Sequence, residues 1–199
     1  MTVQLVTPPT LEPVTWGEVL AHLGIKEFDE DTTASSIEDI NRLIKAVRVH
    51  LEQSVLNRAL ITQTWKVFYD YFPGCDYISI PFPLLQSITH VKYTNSAGTI
   101  TTLTATTDYL EDIVSEPGRV VLPYSGSWPT FTPYPIRPIE IQFVAGYGNT
   151  EADVPAEIRQ AILIMVSDLY ENHEDLVEKA LTNLGTVDSL LANYRIWHF

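Results

Sequence analysis

The side chains best suited to bind a metal ion are the histidines and the carboxylates near them. The five histidines are His22, His50, His90, His173 and His198. No two of them lie three or four residues apart, so no helix would present two imidazoles to one metal ion. His173, with Glu171 and Glu174 nearby, is the nearest approach to a ligand cluster, but a solvated helix face explains this group better.

The acidic run from Glu27 to Asp31 is a second candidate for metal binding, because hard cations prefer several carboxylate oxygens. Its spacing does not follow that of an EF-hand loop, and no glycine occupies the position of the turn. We therefore expect a solvated loop that leads into the next helix.

Nucleophiles and phosphate-binding loops are equally weakly indicated. Cys75 is the only cysteine, which excludes an internal disulfide and a zinc site built on cysteines. The segment Ser125–Ser127 lacks the spacing of a nucleophile elbow and indicates a turn. The glycine-rich segment Ala145–Asn149 is neither a dinucleotide fingerprint nor a phosphate-binding loop. The sequence therefore predicts no catalytic residues, no bound cofactor and no metal ligands, and a protein that is not an enzyme.

The composition is that of a globular protein with an acidic balance. The chain has 199 residues, with 12 Lys and Arg against 25 Asp and Glu, and 45% of its residues are hydrophobic. A formal charge of −13 argues against sequence-independent binding to nucleic acid, which needs clustered basic side chains. No apolar run approaches the roughly 20 residues that span a bilayer, and the first residues lack the pattern of a signal peptide. We expect a soluble protein that is made in the cytoplasm.

The first 61 residues indicate an extended arm followed by two helices. Pro8, Pro9 and Pro13 prevent a helix in residues 1–14. Thr15 and Glu18 form the pattern of a capping box, and Gly24 suits the end of this short first helix. Apolar residues at spacings of three and four then predict a helix over residues 36–57, with Ser36 and Asp39 as its capping pair.

Residues 62–146 have the pattern of a β segment. Short alternating runs predict strands near residues 62–72, 77–80, 87–93, 99–103, 109–113, 119–122 and 139–144, with a hairpin turn at Asn95–Gly98. Ile88 is out of parity with Val91 and Tyr93, which either a β-bulge or a strand covered on both faces would explain. Five prolines in residues 123–138 exclude a regular element there and predict a long loop.

Two more helices are predicted after the β segment. Pro155 suits the first position of a helix over residues 155–175, and a last short helix is predicted over residues 186–195. We therefore expect an α+β fold, a small helical bundle of two long helices with short N- and C-terminal helices and an inserted antiparallel β domain. The expected boundaries are residues 1–61 for the arm and first helices, 62–150 for the β segment, and 151–199 for the last helices and tail. Residues 15–61 and 151–199 would pack as one helical domain.

Two aromatic segments are candidate interaction surfaces. The long loop carries Trp128, Phe131 and Tyr134, and the chain end carries Tyr194, Ile196, Trp197 and Phe199. Exposing so many apolar side chains to water at a chain end is unfavourable unless they pack against other protein surface. It either folds back on its own domain or anchors a partner, since buried Trp and Tyr dominate the energetics of interfaces.

The order of the motifs resembles that of the head–tail connector (adaptor) proteins of tailed bacteriophages, in the group with a β insert. The matching segments cover most of the chain. They are Val14–Leu23, the acidic loop, Ile40–Arg48, Asn57–Trp65, Ile80–Ile88, Tyr93 before the Gly98 hairpin, Tyr109, Trp128-Pro129, Phe143–Gly148, Val154–Ile162 and Leu190–Arg195. The sequence departs from the family after the last long helix, where this chain is acidic and the family is often basic or mixed.

The resemblance implies a structural part of the virion neck, made in the cytoplasm of a bacterial host. Such adaptors form a ring, commonly a dodecamer, beneath the portal protein at the capsid vertex. The ring extends the DNA channel, through which DNA passes without specific binding, and presents a platform for stopper or tail-completion proteins. The C-terminal segment of the family commonly reaches into the portal, which makes Tyr194, Ile196, Trp197 and Phe199 candidates for portal docking. Trp128, Phe131 and Tyr134 would then face a ring or tail interface.

Two other functions stay open at this point. A stopper or tail-completion protein is a related structural role, which binding to the tail but not to the portal would favour. An unrecognised hydrolase that uses the acidic loop or His173 is the alternative from another class. A metal-dependent thermal shift would favour it.

Overall fold

The computed structural model describes residues 1–25, 34–171 and 185–196. The expected α+β class with antiparallel sheets is confirmed. The chain divides into two compact units. The β unit consists of Met1–Pro9 and Thr62–Tyr147, and the helical unit consists of Thr10–Ile61 and Gly148–Phe199. No helix in the described ranges is both long and apolar enough to cross a membrane.

The helical unit contains four α-helices in its described residues. They are α1 (Trp16–Leu23), α2 (Ala34–His50), α3 (Ala156–Glu171) and α4 (Gly185–Leu191). A π-helical turn, Leu51–Val55, continues α2, and short 3-10 turns are formed by Glu151–Asp153 and Ala192–Tyr194. The expected continuation of α3 to about residue 175 lies outside the described residues.

The caps of the first two helices show what the sequence predicted and what it missed. The capping box of α1 is confirmed, because the Thr15 side chain accepts from the Glu18 N–H while the Glu18 carboxylate accepts from the Thr15 N–H. Gly24 ends α1 in the left-handed region at φ 73°. The capping pair proposed at Ser36 is wrong, since α2 already begins at Ala34 and Ser36 lies inside it.

The core of the helical unit is formed where α2 packs on α3. The buried residues of α2 and its π turn are Ile40, Ile44, Val47 and Leu51, and those of α3 are Ile158, Ala161, Ile162, Met165 and Val166. These spacings of three and four give each helix one apolar face, as the sequence indicated. α1 and α4 pack on α3 as well.

A buried charge network holds the π turn. Arg48 donates to Glu52 at 2.6 Å and to Glu12 at 2.6 Å, and Glu52 also accepts from the Leu60 N–H at 2.9 Å. Burial alone would lower the pKa of the Arg48 guanidinium, but its hydrogen bonds and charge interactions with the two carboxylates outweigh burial and raise that pKa. The sequence does not indicate this network, because the helical spacing assigns Arg48 and Glu52 to the polar face of the predicted helix, whereas both are buried in the structure.

The β unit contains two antiparallel sheets. The strands are β1 (Thr2–Thr7), β2 (Gln63–Tyr69), β3 (Tyr77–Ser79), β4 (Leu85–Thr94), β5 (Ile100–Leu103), β6 (Leu110–Asp112), β7 (Arg119–Val121) and β8 (Ile139–Ala145). The larger sheet has the order β1-β2-β8-β4-β5 and the smaller one the order β3-β7-β6. The prolines in residues 1–14 predict an extended arm. The first residues of that arm form β1, at the edge of the larger sheet.

One face of the larger sheet forms the core of the β unit. Ile139, Ile141 and Phe143 of β8 are fully buried, as their alternation predicted. Of the two explanations for the parity of Ile88, the structure shows the bulge, since the pairing of β4 with β8 shifts register between Ile88 and His90. Gly118, beside β7, approaches this core so closely that a Cβ there would lie 2.5 Å from the Leu85 Cβ.

Candidate interaction surfaces

The long loop, residues 123–138, contains no helix or strand, as predicted, and its aromatic rings pack within the β unit. The Trp128 ring stacks on Phe72 with centroids 5.0 Å apart and planes 3° apart. The Phe131 ring lies 4.6 Å from Tyr93 between centroids. Trp128 and Phe131 therefore pack the loop against the rest of the β unit, while Tyr134 is 44% exposed.

Backbone hydrogen bonds fix the same loop to the β4–β5 hairpin. The Ser96 N–H donates to the Thr132 carbonyl at 2.8 Å, and the Tyr134 N–H donates to the Thr94 carbonyl at 3.1 Å. The Trp128 indole N–H donates to the Cys75 carbonyl at 2.8 Å. A loop held at three points presents a defined surface, which is what a protein interface requires.

Tyrosines form an exposed aromatic surface beside this loop. Tyr71 is 76% exposed and lines two shallow clefts of about 330 and 270 Å³. Tyr69 and Tyr77 line the larger cleft together with Cys75. The Tyr69 hydroxyl donates to the Ser79 carbonyl, and burial raises the pKa of Tyr69 to about 12. This surface combines aromatic rings with few charges, as the cores of interfaces do.

The outer face of the larger sheet is polar. Glu140 of β8 lies between a lysine and a histidine, with Lys66 Nζ at 3.0 Å and His90 Nε2 at 2.8 Å from its Oε1. Burial alone would raise the pKa of the Glu140 carboxyl, but hydrogen bonds from His90 and Lys66 and their charges outweigh it and lower that pKa. The cross-strand arrangement follows from register, because Lys66 and His90 both pair with Gln142 on β8.

The first part of the C-terminal segment folds back on its own helical unit. The Tyr194 hydroxyl donates to Glu157 on α3 at 3.0 Å, and the Tyr194 carbonyl accepts from the Arg58 guanidinium at 3.2 Å. The Ile196 N–H donates to the Leu56 carbonyl at 3.4 Å. Burial, together with Glu157, raises the pKa of Tyr194. Trp197 and Phe199, the other two candidates for portal docking, lie outside the described residues.

The candidate nucleophiles and metal ligands form no assembled site in the described part of the chain. No three side chains of the types that ligate metals come together in residues 1–25, 34–171 and 185–196. The acidic run Glu27–Asp31 and the group around His173 lie outside those ranges, apart from Glu171. Cys75 is exposed, and the turn expected at Ser125–Ser127 lies slightly earlier, over residues 123–126, closed by the Gly126 N–H on the Pro123 carbonyl.

The glycine-rich segment before α3 is also a turn. Thr150 donates to the Asp153 carboxylate through its N–H and its hydroxyl. These hydrogen bonds lower the pKa of Asp153. A Cβ at Gly148 would lie 2.2 Å from Asp153 Oδ2, so glycine is needed for this close approach.

Charge is divided unequally between the two units. By sequence, the β unit carries seven acidic and four basic residues, and the helical unit carries 18 acidic and eight basic residues. The net charges are therefore −3 and −10, which sum to the −13 of the whole chain. The β unit, with the aromatic clefts and the braced loop, is the less repulsive surface for contact between acidic copies.

Comparison with solved structures gives the class of the fold. The sequence matches no family model and no curated protein. The structure is similar to a chain in the neck of an empty gene transfer agent (GTA) particle computed with C6 symmetry, with a TM-score of 0.81, 19% identity, and coverage of 100% of this chain and 97% of that chain.

Two further structures from such particles are similar as well. A chain from the virion of the native particle has a TM-score of 0.79 and 17% identity, and covers the same shares of both chains. A chain from the native neck computed with C12 symmetry has a TM-score of 0.67 and 19% identity. The chain thus has, over its whole length, the fold of proteins from GTA particles. This agrees with the resemblance to head–tail connector proteins at the level of the fold.

Proposed function

We propose that this chain is a structural protein of the neck of a tailed-phage-like virion, made in the cytoplasm of a bacterial host. In this proposal it is the head–tail adaptor, which forms a ring beneath the portal protein and extends the DNA channel. The observation that carries the proposal is the match over 100% of the chain to neck chains of GTA particles. The cyclic symmetries named for those necks support a homo-oligomeric ring, for which a dodecamer is the expected form.

The charge of the chain supports a role in DNA passage without specific binding. A channel wall with excess carboxylates repels phosphates and lets DNA slide, whereas a basic wall would retain it. The helical unit has a net charge of −10. In the proposed ring, acidic residues of this unit border the channel.

The two aromatic segments supply the proposed partner surfaces. Trp197 and Phe199 dock in the portal, and Tyr194 and Ile196 fix the base of this docking segment on the helical unit. Tyr134 offers its exposed ring at an interface with a neighbouring copy or with a stopper or tail-completion protein, while Trp128 and Phe131 hold the loop in shape. The contacts of Tyr194, Ile196, Trp128 and Phe131 support this division.

Imaging of assemblies tests the proposal. The purified chain would be examined by mass photometry and negative-stain microscopy, alone and mixed with its cognate portal protein. We expect a ring in one of the samples or a layer added to the portal. A monomer that leaves the portal unchanged would contradict the adaptor role.

A stopper or tail-completion protein is the second candidate, because the similar structures are described as neck or virion chains without a position in the neck. The same experiment separates the two roles if purified tails are added as a third sample. Binding to tails but not to portals would replace the adaptor by the stopper.

A further inference from the structure

We propose that neighbouring copies join by extending the larger sheet, with the β5 edge of one copy against the β1 edge of the next. This inference rests on the proposed ring, and names the surface that closes it. Its occupant is a second copy of this chain. Three features carry it: the exposure of both edge strands, their lack of charge, and the direction in which they run.

Both edges of the sheet are accessible. Five of the six residues of β1 and three of the four residues of β5 are exposed. Among the described residues, each of these strands has a ladder partner on one side only, β2 for β1 and β4 for β5. Each therefore offers a row of backbone N–H and C=O groups on its outer side.

Apart from a register shift between Leu5 and Thr7 on β1, neither edge has the usual protection against pairing with another chain. Natural edge strands carry lysines, other charges, prolines or bulges that discourage contact between sheets. Here no charged side chain occurs from Met1 to Leu11, nor from Tyr93 to Thr107, so neither edge carries a charged side chain. The prolines nearest β1, Pro8 and Pro9, follow the strand and do not interrupt it.

A second copy fits these neutral edges better than a foreign partner does. Two copies of a chain with a charge of −13 repel each other, so contact between them is least unfavourable where charged side chains are absent. A partner of opposite charge would be recognised by charged side chains, which these edges lack. Two neutral edges on opposite sides of one sheet also suit a head-to-tail contact, in which every copy uses both edges and rotation closes a ring.

The strand directions allow such a ring. All neighbours in the larger sheet are antiparallel, and the number of strands is five, so β1 and β5 run in the same direction. Rotation about an axis along the strands would place β5 of one copy beside β1 of the next as a parallel pair. Sheet continuation is thus compatible with a cyclic assembly of identical copies.

The β4–β5 hairpin shows which backbone groups would take part. The Asn95 N–H donates to the Thr99 carbonyl at 3.0 Å. Asn95 and Thr99 therefore form a hydrogen-bonded pair. Hydrogen-bonded and non-hydrogen-bonded pairs alternate in an antiparallel ladder, so Thr94 with Ile100, and Lys92 with Thr102, are non-hydrogen-bonded pairs. The N–H and C=O groups of Ile100 and Thr102 therefore point away from β4 and toward a neighbouring copy.

A proline at position 102 tests the role of these groups. Thr102→Pro removes an outward N–H that β4 does not use, whereas Thr102→Val keeps the N–H and a β-branched side chain. We expect Thr102→Pro to raise the protein concentration needed for ring assembly at least tenfold, measured by mass photometry with and without portal. Thr102→Val should assemble as the unchanged protein does. Thermal unfolding of both variants reports whether the fold survives.

Engineered thiols test which edges meet, even if the proline variant fails to fold. In a Cys75→Ser background, Gln4→Cys is placed on β1 and Thr102→Cys on β5, at exposed positions on the same face of the sheet. Four strand spacings of about 4.8 Å separate these strands within one copy, too far for an internal disulfide. Oxidation or a short bismaleimide should therefore yield a ladder of covalent oligomers up to the full ring, while each single-cysteine variant yields dimers at most.

The outcomes separate this inference from the proposed function. Rings that assemble normally with Thr102→Pro and give no ladder from the double-cysteine variant would overturn the edge contact and leave the adaptor role standing. Absence of any ring or portal layer from the unchanged protein would contradict the adaptor role itself. Cross-links from either edge to the portal instead of to another copy would show that the portal occupies that edge, and would also overturn the inference.

Discussion

The indole ring of Trp65 stacks on the ring of Phe82, with centroids 4.4 Å apart and planes 24° apart. Trp65 is a central residue of β2 and is 5% exposed. It pairs with Phe143 on β8 and with Leu5 on β1, so one ring joins three strands of the larger sheet to the segment after β3. A buried aromatic ring of this size removes a large apolar area from water, whereas exposed polar pairs contribute little.

Replacing this ring should therefore cost much of the stability of the β unit. We expect Trp65→Ala to lower the free energy of unfolding by about 3–5 kcal/mol, because it leaves a large cavity in the core. Trp65→Phe keeps an aromatic ring on Phe82 and should cost clearly less. Urea unfolding followed by circular dichroism measures both, and equal losses for the two variants would contradict the role of the stack.

The buried carboxylate of Glu52 should matter more than any exposed ion pair. Glu52→Gln leaves Arg48 with one carboxylate partner fewer inside the helical unit, and we expect a loss of about 3–5 kcal/mol in unfolding free energy. Arg42→Met breaks the exposed pair with Asp39 and should change stability by less than about 1 kcal/mol. Comparable losses from the two variants, in the same urea titrations, would show that the network does not stabilise the π turn.

The sequence predicts regular elements of secondary structure better than it predicts long-range contacts. The strand β8 and a break in alternation near Ile88 could be predicted, because alternation indicates which side chains face a core. The sheet partner of β1 could not, since six uncharged residues ahead of two prolines have no pattern that names a neighbour. The same holds for Trp128 and Tyr194. Their residue types indicated contact surfaces, but only the fold shows that Trp128 meets Phe72 and that Tyr194 meets Glu157.

Glu140, on the outer face of the larger sheet, should make the free energy of unfolding depend on pH in the acidic range. The pKa of Glu140 is lowered in the folded chain, so its ionised form stabilises the fold above the unfolded value, near 4.5. This contribution is lost as the pH falls through the lower folded value. The difference in unfolding free energy between the unchanged protein and Glu140→Gln should therefore shrink from about pH 7 to about pH 3. A difference that grows toward low pH would contradict the assignment, and Glu38→Gln, at an exposed site on α2, controls for the loss of one negative charge.

Two truncations of the C-terminal segment should separate partner docking from folding. Removal of residues 197–199 leaves the contacts of Tyr194 and Ile196 with the helical unit in place. We therefore expect an unchanged unfolding midpoint and weaker binding to the portal. Removal of residues 194–199 also deletes the hydrogen bonds to Glu157, Arg58 and Leu56, each worth about 0.5–1.5 kcal/mol. This longer truncation should lose portal binding and stability together.

A point variant isolates the anchoring contact from the docking residues. Tyr194→Phe keeps the ring and removes the hydroxyl that donates to Glu157, so we expect a loss of about 1 kcal/mol in unfolding free energy with portal binding retained. Portal binding is measured by co-sedimentation of each variant with purified portal rings. Full binding after removal of residues 197–199 would show that Trp197 and Phe199 do not dock there. The portal surface would then have to be sought elsewhere, first at the loop that carries Tyr134, since its exposed ring is fixed to the β4–β5 hairpin and presented in one orientation.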